Sequence, residues 1–422
     1  MHHLKVHAAF CGRSLATAGL IMLLSSPFPR TALAAPALKL NSSDAANSDY
    51  FGYSVAASGG KALVGAFQAE DAVFNSGAAY LFEASTGQQL LKLAPSDPTA
   101  EALFGSSVAL GGNLALVGAF QDNDAGNLSG SAYLFNATTG QELFKLAASD
   151  AAAGDHFGAS AALSGNLALV GADWANSAYL FDTTTGQQLA KLTSGAGGAF
   201  GISVALYGNL ALVGARNDDG QVSSSGSAYL FDVSTPLAPV LLHKLTASDG
   251  AISDAFGTSV SLSGNLALVG SFADDDDGSI SGSAYLFDAT TGNQLAKFSP
   301  DDAAADQWFG YSVSLSGNQA IVGAHSDDEM GSSSGAAYLF DVSDPLSPVQ
   351  VEKLVATDPA PYTLFGIAVG LSGNTAVVGS YNGSNEAGVA SGSAYSFVVP
   401  EPGTLPLAAA LSAIELFRRR KR

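Results

Sequence analysis

The side chains best able to do chemistry are carboxylates, and they come in short runs. The stretch "SFADDDDGSISG" sets Asp274, Asp275, Asp276 and Asp277 between two apolar segments. Related clusters hold Asp122 and Asp124, Asp218 and Asp219, and Asp327 to Glu329. Calcium takes about six to eight oxygen ligands from loops of this kind. With Gly278 as the sharp turn, Asp275 and Asp277 fall in register as ligands, but Ala273 stands where the first carboxylate belongs and Ser281 where the last does. Asp122 and Asp124 form the matching pair in an earlier loop, with Gly126 in place of a third carboxylate. Each loop is therefore either a solvated turn or a loose calcium site, with Asp122, Asp124, Asp275 and Asp277 as the candidate ligands. The turn is the preferred reading, and no cofactor is required. Carboxylates this crowded repel one another unless solvated or bound to a cation.

A second acidic pattern, two aspartates five positions apart shortly before a Phe-Gly pair, occurs at Asp44/Asp49, Asp150/Asp155, Asp249/Asp254 and Asp301/Asp306. It reads as side-chain capping of a connecting loop, with an inter-blade cation bridge as the alternative. The three histidines outside the first residues, His156, His243 and His325, occupy different positions relative to Phe-Gly, so the sequence gives no pair ligand spacing. Ser333 is the centre of a Gly-x-Ser-x-Gly match, but a nucleophile elbow joins a strand to a helix and this copy precedes a strand, so it reads as a turn. A triad assembled from distant loops stays open.

These groups need elements to hold them, and the elements repeat. Phe-Gly recurs at Phe51, Phe104, Phe157, Phe200, Phe256, Phe309 and Phe365, each followed by a phrase such as "SVALGGNLALVGA", a variable polar loop, "SGSAYLF" and "TTGQQLAKL". A repeat of about 40–55 residues with four short strands is the pattern of propeller blades. "SVAL" ends at a Gly-Asn turn, both of whose residues take positive φ readily. In "SAYLF" Tyr229 and Phe231 share one face and Ala228 and Leu230 the other, so blades must lie on both sides. The last copy stops after three strands, at residues 393–397, while "ALKL" at 37–40 is a spare fourth strand. The expected fold is all-β: a seven-bladed β-propeller of four-stranded blades, closed by the N-terminal strand pairing into the last blade. One copy, "GADWANSAYLF", lacks the long acidic loop; Trp174 there is either an exposed contact or a plug, the plug being preferred.

Phe-Gly followed by Val-Gly-Ala resembles the FG-GAP repeat, the blade unit of integrin alpha-chain heads and many bacterial surface proteins. In calcium-binding members the cage lies between those two strands. Here that connection is Ser263, Gly264 and Asn265, too short for an oxygen shell, so the family's ligands do not carry over.

Both ends carry addresses. Lys5, Arg13, an apolar core over 15–24 and Ala32-Leu33-Ala34 make residues 1–34 a signal peptide, with signal peptidase cleaving after Ala34. Residues 399–422 join Pro400-Glu401-Pro402 to a short apolar segment and a basic tail, which resembles the PEP-CTERM sorting signal of Gram-negative bacteria. That resemblance implies an exosortase acting at the tripeptide, transient anchoring in the inner membrane, and delivery to the cell surface or extracellular matrix. Residues 35–398 are the propeller. Cys11 falls within the signal, so no thiol remains for a disulfide or metal.

The chain carries a net charge of −20. Between residues 35 and 398 it holds nine bases against 35 acids, a surface that repels nucleic acid. The expected function is non-enzymatic binding of polysaccharide or protein in the extracellular matrix, and the alternative is an extracellular carbohydrate-active hydrolase or lyase. A clustered Tyr/Trp/carboxylate cleft on one ring face would favour the enzyme; evenly spread acidic loops would favour the binder.

Overall fold

The computed structural model describes residues 37–399 except 71–72, 196 and 384–389. The processing positions Ala34, Pro400, Glu401 and Pro402 therefore lie outside the described residues. Seven antiparallel four-stranded sheets follow one another, each built like blade one: Phe51–Ser58, Lys61–Ala66, Ala78–Glu83 and Gln88–Leu93. The first strands pack side by side round a closed ring, with blade seven's Val369–Ser372 against blade one's Phe51–Ser58. The fourth strand of blade seven is Leu38–Leu40, paired to Ser393–Val398 in the register Lys39↔Tyr395.

Alternation places the core between sheets. Tyr229 and Phe231 pack toward blade three, while Ala228 and Leu230 pack toward blade five, and each of the seven cores joins two neighbouring blades. The turn between first and second strands, Gly264-Asn265 in blade five, is two residues long. Only its glycine has positive φ (+59°), which fits a II′ rather than a I′ turn; in blade one, Gly59 and Gly60 are both positive.

Phe-Gly has two separate jobs. Phe104 is fully buried, edge-on to Tyr133 at 5.5 Å and Phe135 at 5.8 Å. Gly105 sits at φ +94°, where a Cβ would stand 2.4 Å from the Ala78 carbonyl oxygen of the preceding blade. That contact excludes every side chain, so the glycine follows from how closely the blades approach. Next to it, Ser54, Ser107, Ser160, Ser203, Ser259 and Ser312 each donate a hydroxyl hydrogen bond of 2.7–2.9 Å to the Phe-Gly glycine carbonyl of the following blade. The seventh position is Ala368, so the junction from blade seven to blade one lacks this clamp and is left with backbone bonds such as Phe51 N–H to the Ser391 carbonyl.

Candidate functional site

The acidic loops join second to third strands, and the Phe-Gly connections join fourth to first strands, so both lie on one face of the ring. On that face every blade carries the same device. A fourth-strand lysine stands opposite the tyrosine of "AYLF" and sits 5.1–5.7 Å from its ring centre: Lys92 over Tyr80, Lys145 over Tyr133, Lys191 over Tyr179, Lys244 over Tyr229, Lys297 over Tyr285, Lys353 over Tyr338 and Lys39 over Tyr395. Six of these ammonium groups bind the aspartate seven positions before Phe, at 2.6–2.9 Å: Asp44, Asp97, Asp150, Asp249, Asp302 and Asp358.

The acidic loops close on the same lysines. Lys145 binds Asp97, Asp122 at 2.9 Å and Asp124. Lys297 binds Asp249, Asp274 at 3.0 Å and Asp276 at 2.5 Å, and Lys353 binds Asp302, Asp327 at 3.0 Å and Glu329 at 2.6 Å. Blade four keeps a reduced set, Lys244 with Asp218 at 3.1 Å. The first loop carboxylate is buried in each of these four blades and also accepts a tyrosine hydroxyl, from Tyr133, Tyr229, Tyr285 or Tyr338. Burial alone would raise the Asp122 carboxyl, but hydrogen bonds from Lys145 and Thr99 and the ammonium charge hold it below the usual range. Crowded carboxylates thus have a cation, and it is a lysine of the chain itself.

This changes the register read from sequence. Asp122 and Asp124 do converge, on Lys145, whereas in blade five the converging pair is Asp274 and Asp276; Asp275 and Asp277 are exposed. The loop curls where Asp274 Oδ1 accepts the Asp276 amide, and alternate carboxylates reach Lys297, Asp274 buried and Asp276 at the surface. Among the described residues no three His, Cys, Asp or Glu side chains are grouped to hold a metal ion. The second acidic pattern divides its labour: Asp49, Asp155 and Asp254 cap the amides of Ala46, Ala152 and Ala251, as expected, while Asp44, Asp150 and Asp249 pair with lysine. In blade six the pattern is shifted by one, because Asp302 and Gln307, not Asp301 and Asp306, do these two jobs. Ser333 lies in a turn at φ +45°, its amide bonded to Asp328.

Inside this belt lies the mouth of the central channel, a space of about 320 Å³ lined by residues in or just before the first strands, including Tyr53, Ile202, Tyr311 and Ile367, with Arg216. The residues directly after the second strands of blades one to seven are Phe67, Phe120, Asp173, Arg216, Phe272, His325 and Tyr381. Those directly before Phe-Gly include Tyr50, His156 and Trp308, and all seven have positive φ. The two sets interlock as aromatic clusters. Tyr50 stacks on Phe67 at 5.4 Å, and Tyr53 meets Phe67 and Tyr381. Phe272, Trp308, Tyr311 and His325 form a second group, and Phe120, His156 and Trp174 a third. Trp174 is not a plug: it is 65% exposed and stacked on buried His156 at 4.1 Å, because its loop is too short to fold back over it.

The charged groups of the mouth are Asp173 and Arg216, in neighbouring blades. Burial raises the Asp173 carboxyl against the pull of His156 and Arg216, and burial lowers the His156 imidazole despite Asp173 and Asp155. Burial also lowers His325, to about 4. His156 Nε2, Asp173 Oδ1 and His325 Nδ1 are buried without a hydrogen-bond partner. His243 is elsewhere, on an outer strand, its Nε2 3.1 Å from the Thr290 carbonyl oxygen. The mouth escaped the sequence reading because each blade contributes single residues to it; aligning the seven copies on Phe-Gly and reading down the column after Val-Gly-Ala or Val-Gly-Ser would have found it.

A family model described as FG-GAP repeat matches the chain seven times, at residues 37–82, 88–135, 141–181, 187–231, 240–287, 293–340 and 348–397. No curated protein matches.

Proposed function

The chain belongs to the FG-GAP repeat family, and from that premise we propose an exported, non-enzymatic propeller that binds polysaccharide or protein in the extracellular matrix through its aromatic channel mouth. The observation that carries this reading is the mouth itself: aromatic rings from at least five blades, most of them half-buried, meet on one face around unpartnered polar atoms. Aromatic rings beside a few fixed polar groups are the usual make-up of a binding site. The acidic loops, which carry the densest charge of the sequence, hold lysine ammonium groups of the chain itself, which supports seeking the ligand at the mouth instead. Export rests on the signal-like residues 1–34 and the sorting-like residues 399–422.

A carbohydrate-active enzyme is the second reading, and one observation favours it. Tyr53, Tyr311, Trp174, Trp308 and the raised carboxyl of Asp173 do share one ring face, which is the cluster expected of a cleft. Against it stands the single carboxylate among these mouth positions, since glycoside hydrolysis generally needs two about 5–10 Å apart. The deciding experiment titrates residues 35–399 with exopolysaccharide of the producing cell while measuring released reducing ends and unsaturated products. Saturable binding without release supports the binder; release that disappears in Asp173→Asn establishes the enzyme.

A further inference from the structure

We propose that the notch at blade three is a sugar subsite: the free face of Trp174 receives one pyranose ring of a neutral glycan, and Asp173, His156 and Arg216 hold its hydroxyls. This rests on the reading of the mouth as a binding site and names the ligand class and the blade.

The ring is lowest here. Four residues, 173–176, connect the second and third strands of blade three, against eleven, 120–130, in blade two. The following connection contains Gly195, Gly197 and Gly198, all at positive φ, and no acidic residue. Both walls that flank other blades are thus reduced, and the indole of Trp174, stacked on His156 on one side, stays 65% exposed. That side is fixed: the His156 ring lies against it at 26°. An indole backed in this way loses little freedom on binding, and its apolar face suits the C–H face of a sugar ring.

The polar groups fit hydroxyls. Asp173 and His156 are each 7% exposed, and Asp173 Oδ1 and His156 Nε2 have no partner. Their closest approach, His156 Nδ1 to Asp173 Oδ1, is 3.9 Å, beyond hydrogen-bond reach, so neither satisfies the other. A buried acceptor left alone is costly, and a ligand hydroxyl that reaches both removes that cost. Arg216 adds donors from blade four and acts on Asp173 through space. Charge decides between sugar classes. Arg216 offsets Asp173, but Asp155 beside His156 and the surrounding chain are acidic, so a polyanionic glycan is repelled and a neutral one is not.

The test uses exopolysaccharide from the producing cell, separated by anion exchange into neutral and acidic fractions and cut to oligosaccharides, titrated calorimetrically into residues 35–399 at low and high salt. The neutral fraction should bind with little salt dependence. Trp174→Ala should weaken it about thirtyfold, the scale of a truncated aromatic anchor, and Asp173→Asn should weaken it too. Tyr207→Ala, an exposed ring on the opposite face, should leave it unchanged. Because Trp174 is largely exposed, its variant keeps the parent melting temperature. Binding that ignores Trp174→Ala and Asp173→Asn but falls with Tyr53→Ala overturns the subsite and keeps the mouth. Binding of the acidic fraction alone overturns the neutral class, and binding of neither fraction overturns both the subsite and the polysaccharide reading, leaving a protein ligand.

Discussion

Replacing Lys297 by methionine tests whether lysine is the cation of the acidic loops. Its ammonium lies 2.9 Å from Asp249, 3.0 Å from Asp274 and 2.5 Å from Asp276. The Asp249 and Asp276 side chains are 37% and 60% exposed, so losing those pairs costs at most about 1 kcal/mol each. The Asp274 side chain is only 3% exposed, and without Lys297 its charge keeps the Tyr285 hydroxyl and one backbone amide. Removing one partner of a buried pair costs about 3–5 kcal/mol; with these hydrogen bonds intact, about 3 kcal/mol is expected. At roughly 2.1 cal/mol/K of unfolding entropy per residue over about 360 residues, that is a fall in Tm of about 4 °C. Millimolar calcium, followed by thermal unfolding, should recover part of the loss in the variant and leave the parent unchanged. An unchanged Tm, or a parent that gains as much from calcium as the variant, refutes the assignment.

Three further outcomes follow from the ring and its seam. Ala368→Ser should supply the missing seventh clamp to the Gly52 carbonyl and raise stability by about 1 kcal/mol, read in urea unfolding. Leu40→Ala should cost about 3 kcal/mol, and removal of residues 37–40 should open the edge of Ser393–Val398 and produce concentration-dependent association in light scattering. His325 is buried and neutral, with a folded-state pKa near 4 against about 6.5 unfolded, so the unfolded chain binds the extra proton first. Stability should therefore decline as pH falls from about 6.5 to 4, by up to roughly 3 kcal/mol, and His325→Phe should flatten that slope in melting curves.

The fold was legible because its determinants are local and repeated seven times. Phe-Gly, the two-residue turn and the alternation of "SAYLF" each fix one strand or one junction, and the spare "ALKL" even carries Lys39 at the position every other blade gives its lysine. The site was legible only in part, for a physical reason. A loop that binds calcium and a loop that wraps an ammonium present the same composition, and what separates them is a residue more than twenty positions away: Lys297 for Asp274, Lys145 for Asp122. Spacing inside the loop does not reveal it, and a metal-type register picks Asp275 and Asp277 where the fold brings Asp274 and Asp276 to the lysine. A column count would have given a hint, since seven of the eight lysines between residues 35 and 398 fall on one strand position. The same accounting bears on function. With those lysines committed to the outer belt, Arg216 is the one arginine in this region and the base that lines the channel. It stands one blade from the short loop that leaves Trp174 open, where the regular pattern breaks. Repetition builds the frame; the departures from it, at blades three and four, are where a ligand can be told from the rest of the ring.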